Sequence, residues 1–132
     1  MSRPHKDAGR SIEVVSGLSA EQLVNLCQEA ASQCKIRREA VKSGVMVFSV
    51  RAMLRPETNR LMVFEVRLSR NGDGLMMKSQ IVSYKTVQSK YLGLIPLGPR
   101  RLVGLQVYDR FLQRFEELVC HLDSEARVRV EG

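Results

Sequence analysis

The chain has 132 residues, of which 44% are hydrophobic and 27% are charged, and its formal net charge at pH 7 is +7. These values are ordinary for a globular protein and give enough length for one domain with one core. No apolar stretch approaches the roughly 18 to 20 residues that a membrane-spanning helix needs, and the first ten residues lack the apolar segment of a signal peptide. We therefore expect a cytoplasmic or nuclear protein, for which peripheral contact with a membrane stays open.

The positive charge is concentrated in one part of the chain. Residues 35–101 hold fourteen Lys or Arg against four Asp or Glu, a local net charge of +10, whereas residues 11–34 hold three Glu and no cation. A segregated field of this kind favours polyanionic partners and accelerates their encounter, without indicating any chemistry. The charge pattern therefore predicts a binding protein with a basic side.

No constellation of catalytic or metal-binding residues accompanies this charge. The two histidines, His5 and His121, have no nucleophile or metal partner at a useful spacing, and Glu116 and Glu117 diverge on a predicted helix. The three cysteines have the spacing of neither a disulfide framework nor a zinc site, so we expect them to be small apolar residues in reduced form. We accordingly expect a chain that is not an enzyme and that binds no metal and no cofactor.

The first predicted elements are a short strand and a helix. Ile12, Val14 and Val15 indicate the strand. Ser19 and Gln22 then have the spacing of a capping box, and apolar residues recur at helical intervals over the residues that follow. These signals predict a helix from about residue 20 to residue 33.

A polar strand over residues 36–41 and a turn at Ser43 and Gly44 lead into a predicted hairpin. Residues 45–54 and 61–70 each alternate apolar and polar side chains around a polar turn, which is typical of two paired strands. One face of the hairpin is apolar throughout and is predicted to be buried. The opposite face begins apolar, which predicts a partly exposed patch available to a partner, formed by Val45, Val47, Leu61 and Val63.

The pattern after residue 74 is ambiguous. Residues 75–85 can be drawn as a strand, but apolar residues from Met77 to Tyr91 step by three and four, and Asp73 is placed to cap a helix. We favour a helix over residues 75–91. Residues 92–101 hold two Gly and two Pro and are predicted to be a loop, after which residues 105–122 have the apolar stripe of a last helix.

These elements predict an α+β fold with two layers, in which an antiparallel sheet of about four strands carries two or three helices on one face. We expect a single domain over residues 11–123. It would lie between a disordered basic tail at residues 1–10 and a second disordered tail at residues 124–132.

The cations on and beside the predicted strands form the candidate anion-binding or lipid-binding site. Arg100 and Arg101 lie just before the last helix, where two guanidinium groups and a helix N-terminus can together hold a phosphate or a carboxylate. Few aromatic residues are free to stack on bases, Tyr84 and Tyr91 at best, which disfavours nucleic acid. The full candidate set is Arg37, Arg38, Lys42, Arg51, Arg67, Arg70, Lys78, Lys85, Arg100 and Arg101.

The run LMVFEVRLSRNGDGLMMK, from Leu61 to Lys78, resembles the C-terminal kinase-associated domain of Ser/Thr protein kinases, in particular the checkpoint-kinase type. In that family a strand ending in Arg-Leu-Ser leads through Gly-Asp-Gly-Leu into a helix, and the similarity extends over about residues 12–91. By position, Asp73 would start that helix, and Arg67, Arg70 and Lys78 would lie in the basic area. If the last helix is instead the family's closing helix, residues 73–101 are an insertion.

This resemblance implies a two-layer α+β module that binds anionic phospholipid head groups and restrains a kinase domain. Together with the charge pattern it gives the first hypothesis, a non-catalytic regulatory module that docks its basic face on an anionic phospholipid membrane or on an acidic protein partner such as a kinase domain. The second hypothesis is a protein-interaction module, for instance a homodimer, that uses the apolar patch. The third and weakest is nucleic-acid binding.

Overall fold

The computed structural model describes residues 6–42, 44–52, 60–72 and 74–131, and over these residues it shows two α-helices and eight strands after a short 3-10 helix at Lys6–Gly9. The elements in chain order are β1 (Ser11–Ser16), α1 (Ala20–Gln33), β2 (Arg37–Lys42), β3 (Val45–Arg51), β4 (Arg60–Asn71), β5 (Gly74–Tyr84), β6 (Thr86–Tyr91), β7 (Ile95–Leu102), α2 (Leu105–Leu122) and β8 (Arg127–Glu131). The predicted turn at residues 55–59, Ser43 and Asp73 lie outside the described residues.

Six strands form one antiparallel sheet in the order β2-β3-β4-β5-β1-β8, and β6 and β7 form a separate two-stranded ribbon. The predicted α+β class and antiparallel sheet are confirmed. The sheet has six strands rather than the expected four, because the sequence pattern indicates neither β5 nor β8 clearly. The first and last strands of the chain lie side by side, which places β1 inside the sheet rather than at its edge.

Both helices pack against one face of the six-stranded sheet, which we call the inner face. The alternation of β3 and β4 directs Phe48 and Phe64 to this face, where their rings stack with centroids 5.5 Å apart. Phe111 and Tyr108 of α2 lie against Phe64, with ring centroids at 5.0 and 4.9 Å. All four rings are at most 1% exposed, and such tilted and edge-on pairs add to the stabilisation that comes from burial alone. The opposite, outer face of the sheet carries neither helix.

The two helices start in different ways. Ser19 caps α1 as predicted: its hydroxyl accepts a hydrogen bond from the Gln22 backbone N–H, and the Gln22 side chain accepts one from the Ser19 backbone N–H. The start of α2 follows Gly104, whose φ of 87° suits glycine. A Cβ at Gly104 would also lie 3.3 Å from Val50 Cγ1, so this glycine lets the start of α2 approach the sheet closely.

The preferred helix over residues 75–91 is wrong, because this segment forms β5 and β6. The inward positions of β5 are Met77, Ser79 and Ile81, all nearly fully buried. Because Ser79 is polar, the apolar residues Met77 and Ile81 stand four positions apart in the sequence, which is a helical spacing. In the strand, however, every second side chain points inward. The Ser79 hydroxyl is satisfied by the Ile12 backbone N–H and by the Tyr108 hydroxyl, which is why a serine is tolerated there. The helix that the family resemblance places after Gly72 is therefore a strand.

Two further predictions of irregular structure are corrected. The loop expected at residues 92–101 is largely the strand β7, and its prolines are tolerated because a two-stranded ribbon leaves one side of each strand unpaired. The tail expected at residues 124–132 contains β8, which pairs with β1. At the other end of the chain, the Arg10 guanidinium forms an ion pair with Asp109 of α2, so the predicted basic tail is attached to the fold by its last residue.

Candidate anion-binding face

The outer face of the sheet is predominantly basic, and neither of the two described helices covers it. The alternation that directs the aromatic residues inward directs every second side chain of each strand to this face. Among the side chains that the structure describes here, eight cations oppose three carboxylates, Glu13, Glu39 and Glu65. The eight cations are Arg37, Lys42, Arg51, Arg60, Arg67, Lys78, Arg127 and Arg129.

One row of directly opposed residues crosses all six strands of this face. Lys42 opposes Val45, which opposes Arg67, which opposes Lys78. The row continues from Lys78 through Glu13 to Arg129. Neighbouring strands lie about 4.8 Å apart, so the row spans about 24 Å. The row therefore places four exposed cations on one face of the sheet.

Five of the ten predicted site residues lie on the outer face, and four others lie elsewhere. Arg38 and Arg70 oppose Phe48 and Leu75, and they therefore project on the inner side at the margin of the sheet. Lys85 lies in the link between β5 and β6, and Arg101 lies on β7. Arg100 is also on β7, and its side chain lies outside the part that the structure describes.

Three cations of the face were missed by sequence reasoning, Arg60 of β4 and two arginines of the last strand. Arg127 and Arg129 lie on β8, opposite Val15 and Glu13 of β1. The expectation of a disordered tail removed them from consideration. The signal that could have found them is the alternation of arginine and valine over residues 127–130, which has the period of a strand.

Two of the predicted cations already have carboxylate partners on the face. Arg51 forms an ion pair with Glu39, and the Arg51 Nε lies 3.0 Å from the same carboxylate oxygen. The Arg51 side chain is only 9% exposed. Two contacts lower the pKa of Glu39 from its usual value. The hydrogen bond from the Ser49 hydroxyl has the larger effect, and the hydrogen bond from the Arg51 guanidinium has the smaller one. Arg67 contacts Glu65 at 2.7 Å but remains 63% exposed. Arg67 can therefore still reach a partner, whereas Arg51 serves chiefly to hold the edge of the sheet.

Val45, Val47 and Val63 of the predicted apolar patch lie on the same face as the cations, whereas Leu61 packs against the core. Val45, Val47, Leu61 and Val63 are all partly exposed, and the register places Val45 between Lys42 and Arg67. The structure therefore unites two sites that the sequence analysis treats as alternatives. A partner that covers this face would meet aliphatic surface and positive charge together.

A cavity of about 700 Å³ lies where the end of the β3–β4 hairpin, the base of the ribbon and the start of α2 come together. Its walls are mainly aliphatic, and they include Arg51 and Arg101 together with the first residues of α2. Arg101 is thus near the start of the last helix, as the sequence indicates, but it occupies a strand rather than the residue that caps the helix. The volume lies within the range of about 300 to 1,000 Å³ that is typical of small-molecule pockets.

The remaining groups that could support chemistry are dispersed. Over the described parts of the chain, no three His, Cys, Asp or Glu side chains lie close enough to hold a metal ion. The three cysteines are unpaired: Cys27 is in the core, where burial raises the pKa of its thiol, Cys34 is half-buried and Cys120 is exposed. None of the helices in these segments has the length and apolar character needed to span a membrane.

No family model matches this chain, and no curated protein matches it. The resemblance to the C-terminal kinase-associated domain stays a prediction from residues 61–78.

Proposed function

We propose that this chain is a non-catalytic binding module whose outer sheet face docks on an anionic phospholipid membrane. The observation that carries the proposal is the row of exposed cations across the sheet, on the face that neither helix covers. Each Lys or Arg close to an anionic membrane contributes about 1 kcal/mol of binding free energy. The four cations of the row would together give a useful affinity that falls as salt screens the charges.

The arrangement within the row supports a binding role over a purely structural one. Arg67 and Lys78 are directly opposed on neighbouring strands, and like charges in that position destabilise a sheet. Glu13 and Glu65 offset this repulsion only in part, since the cations of the face outnumber its carboxylates. A surface selected only for stability would have little reason to retain such a pair, whereas an anionic partner would relieve the repulsion.

Nucleic acid fits this face less well than lipid does. Single-stranded RNA or DNA is usually held by aromatic side chains that stack on bases. Phe48, Phe64 and Tyr108 are buried in the core, and the outer-face residues whose side chains the structure describes include no aromatic group. An acidic protein surface remains the second candidate, because the valines between the cations would suit an interface with a mixed apolar and charged character.

The test compares two double variants that remove the same charge from different places. Lys42→Gln with Lys78→Gln neutralises two cations of the row, whereas Arg38→Gln with Arg110→Gln neutralises two cations off the outer face. Sedimentation at low salt with vesicles that contain phosphatidylserine should show about thirtyfold weaker binding for the first variant. The second variant should bind nearly as well as the unmodified protein.

Two results would contradict the proposal. Equal binding to neutral and phosphatidylserine-containing vesicles would show that charge does not drive docking. Equal weakening of both double variants would show that only the net charge matters and that no particular face is used. Binding to an acidic protein without binding to vesicles would favour the second candidate.

A further inference from the structure

The β6–β7 ribbon ends in a cluster of large apolar side chains that are exposed to water. Leu92 is 78% exposed, Leu94 is 84% exposed and Ile95 is 55% exposed. The ribbon is a sheet of its own, and its base is joined to the body by the hydrogen bonds from Lys85 N to Leu61 O and from Val103 N to Lys85 O. The three side chains, which we call the ribbon tip, are thus held away from the core.

The fold gives no reason for a leucine in this turn. Leu92 has a φ of 53° and Gly93 has a φ of 73°, so both lie in the left-handed region. Glycine and asparagine suit such positions, whereas a bulky side chain is strained there. Leu92 is thus unfavourable for the backbone conformation and for hydration, and it does not pack in the core. Such a residue indicates contact with a partner outside the folded chain.

The charge around the ribbon tip indicates the kind of partner. From Gly74 to Tyr108 the sequence contains five Lys or Arg and no Asp or Glu. Lys90, one of the five, is exposed on β6 beside the tip. Apolar side chains flanked by cations are typical of segments that enter the boundary between lipid head groups and acyl chains, because the cations bind anionic head groups while the apolar groups leave water.

We infer that the ribbon tip inserts into the interface of an anionic phospholipid bilayer. This inference rests on the proposed docking function and adds a second, apolar mode of attachment. Cations on the sheet would supply attraction that salt weakens, and the tip would supply attachment that salt leaves largely intact, since burial of apolar surface is not screened.

The test uses the fact that the sequence contains no tryptophan. Leu94→Trp places a single fluorescent reporter in the tip, and Leu122→Trp places one at an exposed leucine at the end of α2, which is 55% exposed. On addition of phosphatidylserine-containing vesicles, the emission of the Leu94→Trp protein should shift to shorter wavelength and be quenched by brominated acyl chains. The emission of the Leu122→Trp protein should not change.

A second variant separates insertion from folding. Leu92→Asn places a residue suited to the left-handed turn, so the thermal midpoint should stay the same or rise. Its vesicle binding at high salt should nevertheless fall by about tenfold, which corresponds to the loss of one partly buried leucine. Leu122→Asn is the matched control and should leave vesicle binding unchanged.

The outcomes distinguish the two proposals. Salt-sensitive vesicle binding without a spectral shift of the Leu94→Trp protein, and without an effect of Leu92→Asn, overturns insertion and leaves docking by the sheet intact. Absence of vesicle binding overturns both. A spectral shift that appears with protein concentration, in the absence of vesicles, overturns insertion as well and shows that the tip contacts a second copy of the chain.

Discussion

Tyr108 links three parts of the fold through one hydroxyl group. Its hydroxyl donates to the Arg10 carbonyl at 3.1 Å and lies 2.7 Å from the Ser79 hydroxyl, which in turn accepts from the Ile12 backbone N–H at 3.0 Å. Because the tyrosine proton goes to Arg10, the Ser79 proton must point to the tyrosine oxygen. Burial of the ring raises the pKa of Tyr108 to about 12. The network thereby connects α2, β5 and β1 without leaving a buried polar group unpaired.

Tyr108→Phe should therefore lower the free energy of unfolding at pH 7 by about 1 to 2 kcal/mol, because Ser79 and the Arg10 carbonyl each lose a partner. An unfolded tyrosine has a pKa of about 10, and the folded Tyr108 holds its proton up to about pH 12. Between these two pH values the tyrosine releases its proton in the unfolded state but keeps it in the folded state. The difference in the free energy of unfolding between the unmodified protein and Tyr108→Phe should therefore shrink as the pH rises. Urea denaturation at several pH values measures this, and Tyr84→Phe, at a partly exposed tyrosine, is the control. A constant difference from pH 9 to 12 would contradict this view of Tyr108.

The strand β8 shows how a short, charged segment becomes part of a sheet. Its register with β1 directs Val128 toward the core and Arg127 and Arg129 toward the outer face. Charged side chains on an edge strand discourage pairing with another chain, so the same arginines protect the sheet edge and extend the basic face.

Val128→Asp and Val130→Asp test the docking of β8 with the same chemical change at two positions of one strand. Val128 packs against the core, whereas Val130 is 56% exposed. We expect Val128→Asp to destabilise the protein by about 1 to 3 kcal/mol through the cost of placing a charge in a partly apolar site, and Val130→Asp to have little effect. Thermal unfolding followed by circular dichroism distinguishes them. Two equally harmless substitutions would restore the prediction of a disordered tail.

At the scale of the whole molecule, the outer face is basic, whereas the two helices on the inner face together contain five carboxylates and two arginines. The basic outer face faces away from α1, which contains Glu21 and Glu29 and no cation. Two copies that brought their outer faces together would oppose like charges, which costs binding free energy even where valines are available for contact. The geometry therefore disfavours the dimer that the apolar patch alone suggests.

Light scattering at low salt should accordingly give the mass of a single chain, 15.0 kDa. Raising the salt screens the repulsion, so any self-association through the apolar patch should appear there first. Val47→Asp would abolish that association if the patch is the interface. A dimer at low salt that Val47→Asp leaves unchanged would mean that another surface joins the copies.

The parts of the fold that sequence reasoning recovers are those with a continuous local pattern. The capping box and apolar stripe define α1, and the double alternation defines β3 and β4 together with the face that carries Arg51 and Arg67. The pattern of β5 is interrupted by Ser79, whose suitability depends on Tyr108, a residue 29 positions away. No local window contains that information. Sequence reasoning missed Arg127 and Arg129 for the same reason, since β8 is a strand only because β1 pairs with it.

The position of β1 between β5 and β8 has a consequence for the order of folding. The Ser16 hydroxyl bonds to the Asp123 carboxylate across 107 positions of sequence, and β1 has no strand neighbour that is close to it in the chain. Contacts between such distant segments are slow to form, because most of the chain must be ordered before they stabilise anything. During synthesis, β1 would stay unpaired until β5 has left the ribosome, and its second edge would stay open until β8 follows. In that interval the open edge of β1 could pair with other chains, so the partly made protein would be most prone to aggregate before β8 is in place.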